Sequence, residues 1–322
     1  MSSALLIVGG LAALTIGAEL LVRGGTGLAA WLGIRPMIIG LTVVSIGTSV
    51  PELAIGIDAA VGGNTGLAVG NIVGTNLVNI LFILGLSALL VPVAFQRRTL
   101  KFDLPAMTAA ALVLYLLALD GTLGWADGLL LIAGGAAYTW ALLRVSRRDH
   151  EEMTADKTGP DATGRTQVSH QPRHDTVTLL VGTLVIVLGA ELLVNGAVSS
   201  AESLGVSEAV IGLTVVAIGT SAPELVTTLL STVRGDRDIA IGNLLGSSIY
   251  NIAVVLGLTV IVAPNGVPVP DEVLSADLVL LVVVAFASAT VFLSGARISR
   301  VEGAMFVATY IGYLAWLLLT RT

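Results

Sequence analysis

The sequence predicts an all-α polytopic membrane protein, with ten transmembrane helices arranged as two inverted five-helix repeats. Three observations carry that prediction. Of 322 residues, 55% are hydrophobic and only 12% are charged, and the mean hydropathy is +0.94. This composition excludes an ordinary water-soluble domain. The few charges gather between long apolar runs instead of spreading along the chain. Finally, the runs form two sets that match each other in register.

Spanning a bilayer takes roughly 17–25 apolar residues. Runs of that kind occupy about 4–30, 35–61, 67–91, 103–119, 124–145, 175–203, 208–232, 238–263, 273–294 and 299–320. Each is expected to be a helix, because lipid offers backbone polar groups no partner. The first run has no basic leader and continues into the repeated core, so it is not read as a cleavable signal peptide. With no cysteine in the chain, disulfides and thiol chemistry are excluded. One long polar segment, 146–175, separates residues 1–145 from 176–322 and reads as a flexible linker. It is too short for a folded regulatory domain. The three histidines (His150, His170 and His174) fall in it among solvated charges, which is the ordinary place for surface histidines.

The two sides of the linker are repeats. Gly17-Ala-Glu-Leu-Leu-Val22 returns as Gly189-Ala-Glu-Leu-Leu-Val194. Gly40-Leu-Thr-Val-Val-Ser-Ile-Gly-Thr-Ser-Val-Pro-Glu-Leu53 returns as Gly212-Leu-Thr-Val-Val-Ala-Ile-Gly-Thr-Ser-Ala-Pro-Glu-Leu225. Both copies are 172 residues apart, and Gly17–Pro92 aligns with Gly189–Pro264 without a gap. Five helices per half is an odd number, so consecutive halves must lie in opposite orientations, the inverted-repeat plan of secondary transporters. Loop charges agree independently. Arg35, Arg97, Arg98, Lys101, Arg234, Arg237, Arg297, Arg300 and the basic linker fall on one side, while loops 2–3, 4–5, 6–7 and 8–9 contain no Lys or Arg. The positive-inside rule then makes the linker cytoplasmic and places both termini outside, as in a multi-pass protein of the cell's inner membrane.

Each repeated stretch places a carboxylate, Glu52 or Glu224, inside an apolar run. An ionised carboxylate there costs from roughly 3 to more than 10 kcal/mol and persists where it meets a cavity, a cation or a partner. Ser45, Ser49 and Glu52 are spaced i, i+4, i+7 on one helix face, with Thr48 a turn before the acid. Ala217, Ser221, Glu224 and Thr220 repeat that geometry. Pro51 removes a backbone donor and Gly47 weakens the same turn, so the helix is expected to break and release carbonyls around Ser45 to Thr48. Pro223 and Gly219 act likewise in the second half. A second pair of stretches, Gly70–Asn79 and Gly242–Asn251, puts Thr75 with Asn79, and Ser247 with Asn251, one turn apart. Asn71 and Asn243 are read first as ties at a helix start, with a ligand role as the alternative. The set is all oxygen, without His or Cys, which suits hard cations: Na⁺, Ca²⁺ or Mg²⁺. Two carboxylates can neutralise one Ca²⁺ or two Na⁺, which is a physical basis for exchange. A lone membrane Glu can also simply hydrogen-bond a neighbouring helix. Two of them, on matched broken helices with matched hydroxyls and amides, point to a site. Glu19 and Glu191 are repeated too, with fewer polar companions, and fit either a structural role or an access path. Asp58 reads as a helix-end charge, Arg23 as peripheral, and Trp125 and Tyr313 as interfacial anchors.

At these residues the chain resembles the sodium/calcium exchanger family, within the cation/Ca²⁺ antiporter superfamily. The resemblance rests on Gly47-Thr-Ser-Val-Pro-Glu52 with Gly70-Asn-Ile-Val-Gly-Thr-Asn76, repeated at Gly219–Glu224 and Gly242–Ser248. It implies a ten-helix prokaryotic-type exchanger without regulatory domains and with a central cluster of four cation sites. Glu52 and Glu224, with the carbonyls of Thr48 and Thr220, look like the central Ca²⁺ ligands. Ser49, Ser221, Thr75, Ser247 and the carbonyls of Ser45 and Ala217 would serve flanking Na⁺ sites. Asn79 and Asn251 match the remaining polar pair. Helices 1 and 6 would slide across the core. Several family members carry Asp where Asn251 stands, so the departure argues against potassium dependence. The Gly-Asn-Ala-Ala-Glu of the proton-coupled branch is absent, which favours Na⁺ coupling.

The function expected is therefore a secondary antiporter that exchanges Na⁺ for Ca²⁺ by alternating access, without covalent chemistry. Its partners are expected to be the lipid bilayer and inorganic cations, with no cofactor, no nucleic acid and no obligatory protein. H⁺/Ca²⁺ (or other divalent cation) exchange is the alternative, since a desolvated Glu can carry protons. A cation channel could use the same ligands, but would usually place acid rings in a symmetric oligomer. A binding protein without transport completes the set.

Overall fold

The structure is a computed structural model that describes residues 3–62, 65–96, 99–155, 172–204, 217–293 and 297–320. The start of the seventh predicted span (208–216), Arg97, Arg98, Lys157, Arg165 and His170 lie outside the described residues. Among the described residues, seven helices are long and apolar enough to cross a membrane: Ser3–Leu32, Gly66–Leu90, Thr99–Asp120, Trp125–Val145, Pro172–Ser203, Arg237–Val262 and Arg300–Thr320. The second predicted span is a bent pair, Pro36–Thr48 and Val50–Val61, turning by 42°. The ninth is a shorter apolar helix, Val273–Ala289.

We number the helices α1 (Ser3–Leu32), α2 (Pro36–Ile39), α3 (Ser45–Thr48), α4 (Val50–Val61), α5 (Thr65–Leu77), α6 (Leu84–Leu90), α7 (Leu104–Leu117), α8 (Trp125–Ala155), α9 (Pro172–Ser203), α10 (Ala217–Thr220), α11 (Ala222–Arg234), α12 (Arg237–Tyr250), α13 (Gly257–Val262), α14 (Leu278–Leu293) and α15 (Arg300–Thr320). Wider π-type turns join several of them, at Gly40–Val44, Val78–Ile83, Thr99–Asp103, Asn251–Leu256 and Val273–Asp277.

Two features organise the fold. The first is the pairing of α1 with α9. A Cβ built on Gly10 would meet the Leu193 nitrogen at 2.6 Å, one on Gly17 the Ile186 nitrogen at 2.6 Å, and one on Gly24 the Leu179 nitrogen at 2.5 Å. Gly182, Gly189 and Gly196 return the same approach onto α1. Partner numbers fall as the glycine numbers rise, so the two helices run antiparallel with backbones in direct contact. This is the packing small residues allow in lipid. Leu14, Ala18, Leu21, Leu179, Ile186 and Ala190 fill the seam.

The second feature is a pair of two-residue ladders that join the halves. Val93–Ala94 (β1) pairs antiparallel with Arg297–Ile298 (β4), and Thr122–Leu123 (β2) with Val267–Pro268 (β3). Each ladder therefore ties a connection of one half to a connection of the other. Between them lies the main apolar core, around Leu77, Ile83, Leu114, Leu142, Leu256 and Leu281.

Candidate functional site

The expected breaks are present and nearly identical. α3 ends at Thr48 and α4 begins at Val50, with Ser49 between them at φ −85°, ψ 7°. In the second half Ser221 separates α10 from α11 at φ −82°, ψ 3°. Pro51 and Pro223 occupy the first turn of the new helix, where a missing N–H costs nothing. The chain restarts at once: the Leu53 nitrogen donates to the Ser49 carbonyl and Leu225 to Ser221 (3.1 and 2.9 Å).

Glu52 and Glu224, one turn past these breaks, are completely buried and lie within electrostatic reach of each other. The two halves are interleaved around them. α3 packs on α12, and α10 on α5. The turn holding Asn79 packs on α11, which carries Glu224, and the turn holding Asn251 packs on α4, which carries Glu52. Each acid-bearing helix therefore packs on the opposite repeat as well as on its own.

Hydrogen bonds show which predicted residues converge. Ser49 and Ser247, from different halves, both donate to Glu224 Oε1, at 3.5 and 3.4 Å. Thr48 Oγ1 lies 3.4 Å from Ser247 Oγ and 3.2 Å from both the Ser45 carbonyl and Asn243 Oδ1. Ser45 Oγ is 2.6 Å from the Gly40 carbonyl and 3.0 Å from that of Asn243. The Ser45 carbonyl is itself occupied, accepting from the Ser49 nitrogen at 3.0 Å. Ala217, its counterpart, opens α10. Thr220 and Ser221 are buried beside Glu224 in sequence and mirror Thr48 and Ser49. Thr75, Asn79 and Asn251 are buried as well. Among the described residues, the side-chain heteroatoms of these three, both carboxylate oxygens of Glu52 and Glu224 Oε2 have no hydrogen-bond partner. Such groups are costly unless something else engages them, and an all-oxygen set of this kind can ligate a hard cation.

Three features went unread in the sequence. Asn243 does not tie down a helix start: it sits in the second turn of α12, fully buried, accepting from Thr48 and donating to Thr228 Oγ1 at 3.2 Å. Asn243→Ala is expected to cost about 1–3 kcal/mol of stability by removing the donor to the buried Thr228 hydroxyl and one of the acceptors near Thr48, checked by the melting midpoint in detergent. Asn243→Asp keeps the acceptor for Thr48 but buries a third carboxylate in the cluster, so it should lose at least as much. Thr227, Thr228, Ser231 and Thr232 form a buried hydroxyl face on α11, where α4 has Ile55, Gly56, Ala59 and Ala60. Lastly, Asp103 accepts from Tyr138 (3.0 Å) and Asp277 from Tyr313 (2.9 Å), so Tyr313 is tied to a buried acid and is not a simple interfacial anchor. The repeated Leu-x-x-Asp-Leu at Leu100–Leu104 and Leu274–Leu278 is the signal that could have found this pair.

Comparison with known proteins bears on this geometry. The model of the sodium/calcium exchanger protein family matches residues 2–144 and 174–319. The chain belongs to the sodium/calcium exchanger family. Within that family it is 36% identical over 313 residues to CaxA of Alkalimonas amylolytica, described as a candidate antiporter, covering 94% of this chain and 95% of that one. It is 35% identical over 270 residues to the inner membrane protein YrbG of Escherichia coli K12, covering 82% and 81%. The sodium-calcium exchanger NCX_Mj of Methanococcus jannaschii, from crystals soaked with Na⁺ and Ca²⁺, superposes with a TM-score of 0.83 at 26% identity, covering 98% of this chain and 99% of that one. This exchanger-family chain is thus a helical, multi-pass membrane protein of a cation/Ca²⁺ transport family, and the relatives found are transporters, not enzymes.

Proposed function

We propose that this protein exchanges Na⁺ for Ca²⁺ by alternating access, with Glu52 and Glu224 as the central charges of the transported-ion site. One observation carries the reading: two wholly buried carboxylates lie within electrostatic reach of each other at matched helix breaks, among buried oxygens from both halves, and those of Thr75, Asn79 and Asn251 have no hydrogen-bond partner among the described residues. Two negative charges balance one Ca²⁺ or two Na⁺. The same site can serve either load in turn, and the unloaded site is too costly to occlude. Thr48, Ser49, Thr75 and Asn79, with Thr220, Ser221, Ser247 and Asn251, supply neutral oxygens around the acids, and the carbonyls of Ser45 and Ala217 lie at the flanks. The Ser45 carbonyl would exchange its Ser49 hydrogen bond for an ion.

The same reading takes the chain as ten transmembrane helices in two inverted halves, 1–145 and 176–322, joined by the linker 146–175. The antiparallel run of α1 against α9 supports the inversion, since these are the first helices of each half. The crossed ladders support it too: β1 and β4 share one end, β2 and β3 the other, as the predicted helix count requires. Loop charge then places the linker in the cytoplasm and both termini outside.

Purified protein in Na⁺-loaded liposomes, at equal pH on both faces, tests the coupling. Ca²⁺ uptake should require the outward Na⁺ gradient. Uptake indifferent to Na⁺ but driven by an imposed pH gradient would assign the chain to proton coupling instead.

A further inference from the structure

The two repeats are not in equivalent states. A cavity of about 230 Å³ lies between α9 and the helix breaks, with Ala190, Glu191 and Asn195 on one wall and Pro51, Ala54 and Thr220 on the other. It touches the candidate site at Thr220 and follows the boundary between α9 and the helix breaks. Subtracting or adding 172 gives the counterparts at the opposite end: Ala18, Glu19, Arg23, Pro223, Val226 and Thr48. That surface is closed. Leu21 and Val22 are 0% and 2% exposed there, whereas Leu193 and Val194 are only half-buried, and Thr227 is sealed where Ile55 lines the cavity.

Charge marks the same difference. On the closed side Glu19 forms ion pairs with Arg23, one turn on, and with Arg234 at the end of α11. On the open side the equivalents of those arginines are Asn195 and Gly62, and among the described residues no basic side chain pairs with Glu191. The Glu19–Arg234 contact joins the α1–α9 pair to the helix that carries Glu224. The seam glycines hold α1 and α9 backbone to backbone, so this pair moves as one body, and the boundary it shares with α11 must part for the closed end to open.

We propose that Glu19 and Arg234, supported by Arg23, form a latch built into one end of the molecule only, which holds the candidate site shut at the end bearing loop 7–8. The inference deepens the alternating-access reading above and rests on it. The latch sets the balance between the two access states, and the lack of a counterpart at Glu191 leaves the other end free to open. Once parted, the closed end exposes Thr227 and the hydroxyl face of α11.

The chain has no cysteine, so a single Thr227→Cys substitution reports accessibility cleanly. The measurement is its rate of modification by a cationic methanethiosulfonate reagent in the full-length protein, alone and combined with Glu19→Gln or Arg234→Gln. Either neutralisation should speed modification by about fivefold, the scale of a partly exposed ion pair. Glu19→Asp should restore a slow rate, and Ile55→Cys on the open side should react no faster in the same backgrounds. A Thr227→Cys rate unmoved by both neutralisations, in protein that remains monodisperse, would overturn the latch. The two readings fail separately. Intact Na⁺-driven Ca²⁺ uptake with unmoved accessibility removes the latch alone. Shifted accessibility in a protein that moves no Ca²⁺ under any gradient removes the exchange reading alone.

Discussion

Glu52→Gln is expected to abolish Ca²⁺ transport and to raise, not lower, the melting midpoint of the cation-free protein. The substitution keeps the shape of the side chain and removes the charge. Breaking a buried charge arrangement by deleting one member typically costs about 3–5 kcal/mol, which is a loss of at least a hundredfold in Ca²⁺ affinity. The opposite sign for the empty protein follows from geometry: neither Glu52 oxygen has a partner among the described residues, so the ordinary protein gains nothing from that charge until a cation arrives. Wild type should therefore melt later as Ca²⁺ is added, by about 2.7 kcal/mol at a hundredfold excess over Kd, and Glu52→Gln should not respond. A glutamate that merely tied two helices together would behave the other way, with the cation-free variant melting earlier. Glu224→Gln should lose transport equally but gain less stability, because Ser49 and Ser247 already donate to that side chain.

Gly17→Leu is expected to prevent the α1–α9 pair from forming. The first added carbon alone would lie 2.6 Å from the Ile186 nitrogen and 2.9 Å from its Cα. Backbone cannot yield as a flexible side chain does, so the helices must separate and lose contacts along their whole length. Overpacking costs about 1–3 kcal/mol where side chains can adjust. Here the loss should exceed that, and detergent-solubilised protein should elute as aggregate in size-exclusion chromatography. Gly17→Ala should fall between this and wild type. Gly9→Leu is the control on the same helix, since nothing lies within 4 Å of that position. It should elute as wild type does.

These two positions also show what the sequence could reveal. Glu52 stood out because an acid in an apolar run is expensive, and Pro51 announced a break that the structure places at Ser49. The repeat was visible from Gly17 to Pro92 because no residue had been inserted or lost there. Beyond it the match fades, because apolar residues facing lipid exchange freely and only the period of the fold is held. The equivalents Asp103 and Asp277 are 174 residues apart instead of 172, a shift that hid them from a fixed offset. Asn243 was misread for a different reason. An amide near a helix start caps it when solvent is the alternative, but here the other half of the chain supplies Thr48. Contacts between repeats of this kind depend on how the two halves interleave, which spacing within one half does not encode. The ladders of β1 with β4 and β2 with β3 are too short to leave a strand pattern at all.

Those ladders set a timetable for biogenesis. Val93 finds its partner only at Ile298, so roughly 200 further residues must be made first, on the order of 10–40 s of synthesis. In the first part of that interval, before α9 is made, the glycine face of α1 is uncovered; Glu52 then waits for the turn holding Asn251, and the β1 edge stays unpaired to the end. Chaperoning at the insertion machinery, or delayed release of the early helices into lipid, is most needed then. Slowing translation between the halves should raise degradation of the nascent chain far more than slowing it after β4 is complete.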